Sequence, residues 1–175
     1  MSDLTHFERL GLPRRFHLDP AELEANYLAR SRAVHPDHAG NDAASLDAAA
    51  AVNEAYTVLR DPFRRADYLL TLEGGPSATE QKQAPPEFLE EMLDLRMRIE
   101  EAKESADPDR ADRVNLEIEL GNRRTNLLNE AAALFERLEA LPPDDAGRLA
   151  VRVKIRQALN ATKYVQGLLR DLEED

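Results

Sequence analysis

The stretch Val34-His35-Pro36-Asp37-His38 lies between two helical patterns, and its reading decides the fold. A proline clashes with the helical conformation of the residue before it, so the chain turns extended at His35 and the preceding helix stops near Val34. The loop tip then displays an imidazole and a carboxylate two residues apart. Taken alone, such a tripeptide is a polar helix-ending turn that recurs by chance in many chains. The flanks say more. Upstream, Asp19-Pro20-Ala21-Glu22 is a strong helix start, with Asp as cap, Pro at the first helical position and Glu three residues after the cap. Leu23, Tyr27, Leu28 and Val34 then keep helical spacing, and Arg30 and Arg32 occupy the opposite face. Downstream, Leu46, Ala49, Val52, Asn53, Tyr56 and Leu59 recur at steps of three or four from about Asp42 to Leu59. Two long helices on a short loop pack as an antiparallel hairpin, which puts the tripeptide at its tip. Asn53, polar on an apolar stripe, reads as a buried amide bonded to backbone. Asp61-Pro62 opens a third helix, Phe63 to about Leu72. Ahead of the hairpin, residues 4–18 hold a short helical turn through Phe7 and Leu10, ended by Gly11-Leu12-Pro13.

A composition break follows from Glu73 through Gly74-Gly75-Pro76 to Pro85-Pro86. It divides the chain into a first domain at 1–74, a linker at 75–84 and a second domain at 85–175. The second domain reads as helix throughout. Phe88, Met92, Leu95 and Ile99 form one stripe over 87–104, and Leu89, Leu93 and Met97 form a neighbouring one. Asp107-Pro108 starts a helix with Val114, Ile118, Gly121, Thr125, Leu128, Ala132, Phe135 and Leu138 in step. Pro142-Pro143-Asp144-Asp145 starts the last, with Val151, Ile155, Leu159, Thr162, Val165, Leu169 and Leu172. Three amphipathic helices with short connections make a three-helix bundle. A coiled coil is the rival over 109–140, but the apolar positions hold no strict heptad. The expected fold is all-α. The double stripe at 87–104 has two outcomes: a wide buried face, or an exposed row beside Glu90, Asp94 and Glu101 with the composition of a protein-binding surface.

Composition excludes several functions. A net charge of −11 argues against general nucleic-acid binding, which needs a positive surface, and against docking on anionic membranes. The chain has no cysteine, so disulfides, thiolate catalysis and cysteine-ligated metals are out of reach of its own residues. His35, Asp37 and His38 are close in sequence, yet no second ligand cluster completes a metal shell, and no cofactor is expected. No nucleophile motif and no glycine-rich phosphate loop accompany them, so an enzyme is not expected. Met1-Ser2-Asp3-Leu4-Thr5-His6 has no basic start with an apolar run, and no stretch nears the ~20 apolar residues of a membrane helix. The reading is a soluble, cytoplasmic protein.

The first 74 residues resemble a J-domain. The resemblance rests on His35-Pro36-Asp37 between two long helices, and on Val52-Asn53-Glu54-Ala55-Tyr56-Thr57-Val58-Leu59 followed directly by Arg60-Asp61-Pro62. A narrower likeness rests on His6-Phe7-Glu8-Arg9-Leu10-Gly11-Leu12-Pro13, Arg65-Ala66-Asp67-Tyr68-Leu69-Leu70 and Phe88-Leu89-Glu90-Glu91-Met92-Leu93-Asp94-Leu95-Arg96. With the acidic helical bundle that follows, these resemble the HscB family, J-protein co-chaperones of iron–sulfur cluster assembly. The resemblance implies that the J-domain contacts the DnaK-type chaperone HscA and stimulates its ATPase, while the bundle binds the scaffold IscU and delivers it. His35, Pro36 and Asp37 match the stimulating motif. Arg32 matches a basic position on the contacting helix, with Arg30 nearby. Leu89, Leu93, Asp94 and Glu101 match scaffold-contacting positions. Glu90 stands where the family has an apolar residue, and Met97 where an acidic one is common. The family's aromatic contact on the last helix has no aromatic counterpart, and Val153 or Ile155 takes its place. A rival of another kind is a J-domain adaptor that presents different clients to a general DnaK chaperone.

Overall fold

Thr5 opens helix α1 (His6–Leu10) with a reciprocal cap. Its hydroxyl accepts from Glu8 N–H, and the Glu8 carboxylate accepts from Thr5 N–H at 2.8 Å. The carboxylate also accepts from the Thr5 hydroxyl at 2.8 Å, and the two bonds donated to it, the backbone N–H first, hold the Glu8 carboxylate below the usual range. Gly11, at φ 67, ends the helix in the left-handed region that glycine adopts without a Cβ penalty. Asp19 caps α2 (Pro20–Ala33) by accepting from Ala21 N–H at 2.9 Å. Helix α3 (Ala43–Arg60) ends at Asp61, which caps α4 (Pro62–Leu72) by accepting from Arg64 N–H at 2.8 Å. This computed structural model describes residues 4–34, 43–104 and 110–173, and among them every regular element is a helix. The tripeptide His35-Pro36-Asp37 lies outside the described residues.

The chain divides into two compact units, Met1–Leu69 and Leu70–Asp175. In the first, α1 and α2 both pack on α3 around buried Phe7, Leu10, Leu23, Val52, Ala55 and Leu59. Arg65 fastens the end of this unit. Its guanidinium lies over the Phe16 ring and donates to Leu59 O at 2.6 Å, satisfying a carbonyl of the last turn of α3. Burial pushes the Arg65 pKa down, against the pull of Asp61. His6 stacks against Tyr68 with ring centroids 4.3 Å apart, and burial lowers its pKa as well. Asn53 departs from expectation. It is exposed, and its side-chain oxygen accepts from the Tyr27 hydroxyl at 3.0 Å rather than bonding backbone. Tyr27 in turn stacks flat on Tyr56, so a polar-aromatic clasp holds α2 to α3 where Asn53 reads as core. Leu28 and Leu46, on the expected stripes, stay exposed. Helix α1 covers only part of the α2–α3 pair, and these positions lie beyond its reach.

The second unit is the expected three-helix bundle of α5 (Pro86–Glu104), α6 (Arg110–Ala140) and α7 (Gly147–Glu173). Phe88, Met92, Leu95 and Ile99 meet Leu116, Leu120 and Leu127 of α6 and Ala161, Val165, Leu168 and Leu172 of α7 in one core. The last helix follows its sequence stripe, with Val151, Ile155, Leu159, Thr162, Val165 and Leu172 all buried. Helix α6 does not. Leu128, Ala132, Phe135 and Leu138 bury as expected, but Val114 is 41% and Ile118 56% exposed, and Thr125 is exposed too. Their places in the core go to Leu116, Leu120 and Leu127.

The compact units divide at Leu69, inside α4, whereas the composition break lies at 74–84. The chain past Leu70 is fastened to α7, which explains the offset. Arg156 Nε donates to Pro76 O at 2.8 Å, and Asn160 Nδ2 donates to Gln81 O and Gln83 O at 2.8 and 3.1 Å. Arg148 ties Leu138 O in the last turn of α6 and Leu141 O just past it to the Glu73 carboxylate. Residues 75–84, read from sequence as a linker, are thus a strap lying along the bundle. The turn into it is a glycine-capped helix end. Gly74, at φ 68, donates to Thr71 O at 3.0 Å, and Gly75 donates to Leu70 O at 2.9 Å. No atom lies within 4 Å of a Cβ placed on Gly74, so Gly74→Ala tests backbone strain alone. It is expected to cost about 1 kcal/mol in urea-induced unfolding. An unchanged midpoint would show that the turn contributes nothing to stability.

Candidate functional site

Two faces of the molecule carry the residues singled out from sequence. On α5, the first stripe is buried and the second is not: Leu89 is 55%, Leu93 62% and Met97 54% exposed. Asp94 and Glu101 are exposed as well, and the spacing 94, 97, 101 sets both carboxylates around Met97 on one side of the helix. The opposite flank of α5 is ion-paired to α6. Arg98 meets the Glu119 carboxylate through both terminal nitrogens, at 3.2 and 2.9 Å, and Arg123 meets Glu91 at 2.7 Å. Hydrogen bonding to the Glu119 carboxylate raises the Arg98 pKa above its ordinary value. These half-exposed pairs add little stability. Burial of Phe88, Met92, Leu95 and Ile99 sets the rotation of α5 about its own axis, and that rotation turns Leu89, Leu93 and Met97 outward.

On α2, both Arg30 and Arg32 are exposed, but the structure does not bring them together. Residues two apart on a helix point about 200° from each other. Arg30 Nη2 lies 3.3 Å from where a Cβ on Gly11 would sit, so its guanidinium leans back over the end of α1. Arg32 shares its face with Leu28, four residues earlier and 44% exposed. A charge and an apolar side chain on one open face are what a partner can grip.

The last helix corrects the sequence reading. Ile155 is fully buried among the core residues of α7 and offers nothing to a partner, whereas Val153 is half-buried. Tyr164 of α7 does reach the surface. It is 38% exposed and stands edge-on to Phe88 with ring centroids 5.9 Å apart. Tyr164 sits beside Leu89 in the wall of a cleft of about 470 Å³, so an aromatic ring of α7 does border the exposed row of α5. A search one face away from the Ile155–Leu159–Thr162 stripe would have found it.

Residues 5–68 match the DnaJ domain family, and residues 84–173 match the family described as the HSCB C-terminal oligomerisation domain. A co-chaperone protein HscB homolog of Burkholderia multivorans is 36% identical over 161 residues, spanning 89% of this chain and 86% of its own. The chain belongs to the HscB family. A second HscB homolog, from Vibrio cholerae, is 37% identical over 114 residues, 62% of this chain and 67% of its own. The solved structure of chaperone HscB from Vibrio cholerae superposes with a TM-score of 0.76 at 26% identity, covering 97% of this chain and 96% of that one. Human co-chaperone protein HscB shares the fold, with a TM-score of 0.78 at 20% identity over 99% of this chain and 82% of its own. An HscB-family chain with a DnaJ domain is a co-chaperone, and its partner is a DnaK-type chaperone. Among the described residues no helix is long and apolar enough to cross a membrane.

Proposed function

We propose that this chain stimulates the ATPase of HscA through its J-domain and delivers the iron–sulfur scaffold IscU, bound on α5, to that chaperone. It acts by contact and carries out no chemistry itself. The observation that carries the reading is the exposure of Leu89, Leu93 and Met97 beside a fully buried stripe on the same helix. Three large apolar side chains in a row on one helix, rimmed by Asp94 and Glu101, have the composition of a protein-binding patch. In the J-domain the contact consists of His35, Pro36 and Asp37 with Arg32 and Leu28 of α2. A guanidinium there suits carboxylates on the chaperone and steers encounter more than it adds affinity.

The deciding experiment is HscA ATPase turnover with and without this protein and IscU. Turnover is expected to rise on adding the protein and to rise further with IscU. No rise in either case would overturn the reading, and a rise with general DnaK but not HscA would favour a client adaptor. The geometry of α2 adds a sharper expectation. Arg32→Ala is expected to lower stimulation several-fold at low salt, the difference fading as salt screens the contact, while Arg30→Ala leaves it nearly unchanged. Equal losses for the two variants would show that the face of α2 assigned to Arg32 is wrong.

A further inference from the structure

The cleft beside Leu89 has a chemistry that the α5 row does not. It is bounded by the strap at residues 82–84, the first turn of α5 and the outer side of α7. Phe88, Leu89 and Tyr164 give it apolar walls, with the Phe88 and Tyr164 rings edge-on to each other. Its polar lining side chains all carry N–H or O–H donors. Lys82, Gln157 and Tyr164 line the same space, and none of the three has a hydrogen bond or ion pair among the described residues. Asn160 is committed elsewhere: it holds the strap on either side of Lys82 by donating to Gln81 O and Gln83 O.

We propose that this cleft is a specificity pocket of the scaffold-binding face, taking one large apolar side chain of the scaffold whose neighbouring carboxylate pairs with Lys82. The proposal rests on the reading of α5 as the scaffold-binding helix. Leu89 belongs both to the exposed row and to the cleft wall, so a chain lying along Leu93 and Met97 runs into the cleft without a break. A volume of about 470 Å³ holds an aromatic or long aliphatic side chain together with the backbone that carries it. Charge gives the occupant a direction. Glu90, Asp94 and Glu101 line the α5 row with negative charge, and Lys82 supplies a positive charge at its cleft end. A bound segment that puts basic groups against α5 and an acidic group at the cleft satisfies both ends, and the reversed segment meets like charge at each.

The test is calorimetric titration of purified IscU into the full chain and four single variants. Lys82→Glu is expected to weaken binding about tenfold, and Lys82→Arg to leave it within about twofold. Lys154→Glu makes the same charge change on α7 outside the cleft lining and is expected to leave binding within about twofold. Lys82 is exposed and makes no hydrogen bond or ion pair among the described residues, so none of these outcomes turns on folding. Unchanged binding by Lys82→Glu, or an equal loss with Lys154→Glu, overturns the pocket. Leu93→Ala, outside the cleft, separates the two levels. If it weakens binding while Lys82→Glu does not, the pocket fails and the α5 reading stands. If neither variant changes binding, the α5 reading fails and the pocket fails with it.

Discussion

Replacing Leu89 and Leu93 together by alanine is expected to weaken IscU binding about a hundredfold while the protein stays folded. Each leucine is more than half exposed in the unbound chain, so most of its side chain is still available to be buried by a partner. Truncation to alanine removes the carbons beyond Cβ. At roughly 25 cal/mol per Å² of apolar surface, each leucine then forfeits about 1.5 kcal/mol of burial on binding. The pair loses about 3 kcal/mol, or about two powers of ten in Kd. Large apolar anchors at the centre of a patch commonly carry this share of an interface. The same exposure protects the fold. Neither side chain joins the core of Phe88, Met92, Leu95 and Ile99, and alanine favours helix at least as well as leucine. Titration of IscU measures the first effect and far-ultraviolet circular dichroism with urea unfolding measures the second. Binding at full strength in the double variant would remove α5 as the scaffold-binding face. A collapse in stability would mean that the two leucines are structural.

Periodicity and caps made most of the fold legible. Asp19-Pro20 and Asp61-Pro62 start helices by the expected backbone bonds, and Asp145 accepts from Gly147 N–H at 2.6 Å at the start of α7. These are local signals, and a sequence states them directly. The direction in which a second row of side chains faces is not local. Leu89, Leu93 and Met97 satisfy helical spacing equally well buried or exposed, and only the positions of α6 and α7 decide between the two. The candidate contact at Ile155 failed for a related reason. A stripe of apolar residues marks what the core takes, so a partner's contacts must be sought off the stripe, where Tyr164 and Val153 lie. Asn53 shows the converse. A polar residue at a stripe position reads as buried amide, yet the Tyr27 hydroxyl offers it a partner at the surface of the α2–α3 pair. The separation of Arg30 from Arg32, by contrast, was present in their spacing and needed only the angle per residue.

Leu120→Ala is expected to destabilise the chain by about 3 kcal/mol, and Ile118→Ala by no more than about 0.5 kcal/mol. From sequence, Ile118 belongs to the core row of α6 and Leu120 does not. The row Val114, Ile118, Gly121, Thr125, Leu128, Ala132, Phe135, interrupted as an apolar heptad by Gly121 and Thr125, alternates steps of four and three, an average of 3.5 residues per turn. An α-helix turns every 3.6 residues, so such a row drifts about 20° per heptad and about 60° over its length. In a supercoil the partner follows the drift, but α5 is too short to do so. It meets α6 through Glu91–Arg123 and Arg98–Glu119, all in the first half of α6, and there it draws the buried side round to Leu116 and Leu120. The outward row is left with Val114 and Ile118. Leu120 is fully buried among α5, α6 and α7 residues, so its truncation opens a cavity in a close-packed core. Ile118 is 56% exposed, and its truncation removes surface that water already covers. Urea unfolding of the two single variants decides between the two registers. A large loss for Ile118→Ala with a small one for Leu120→Ala would restore the sequence row and rotate α6, and the ion-paired flank of α5 would then need a different set of partners.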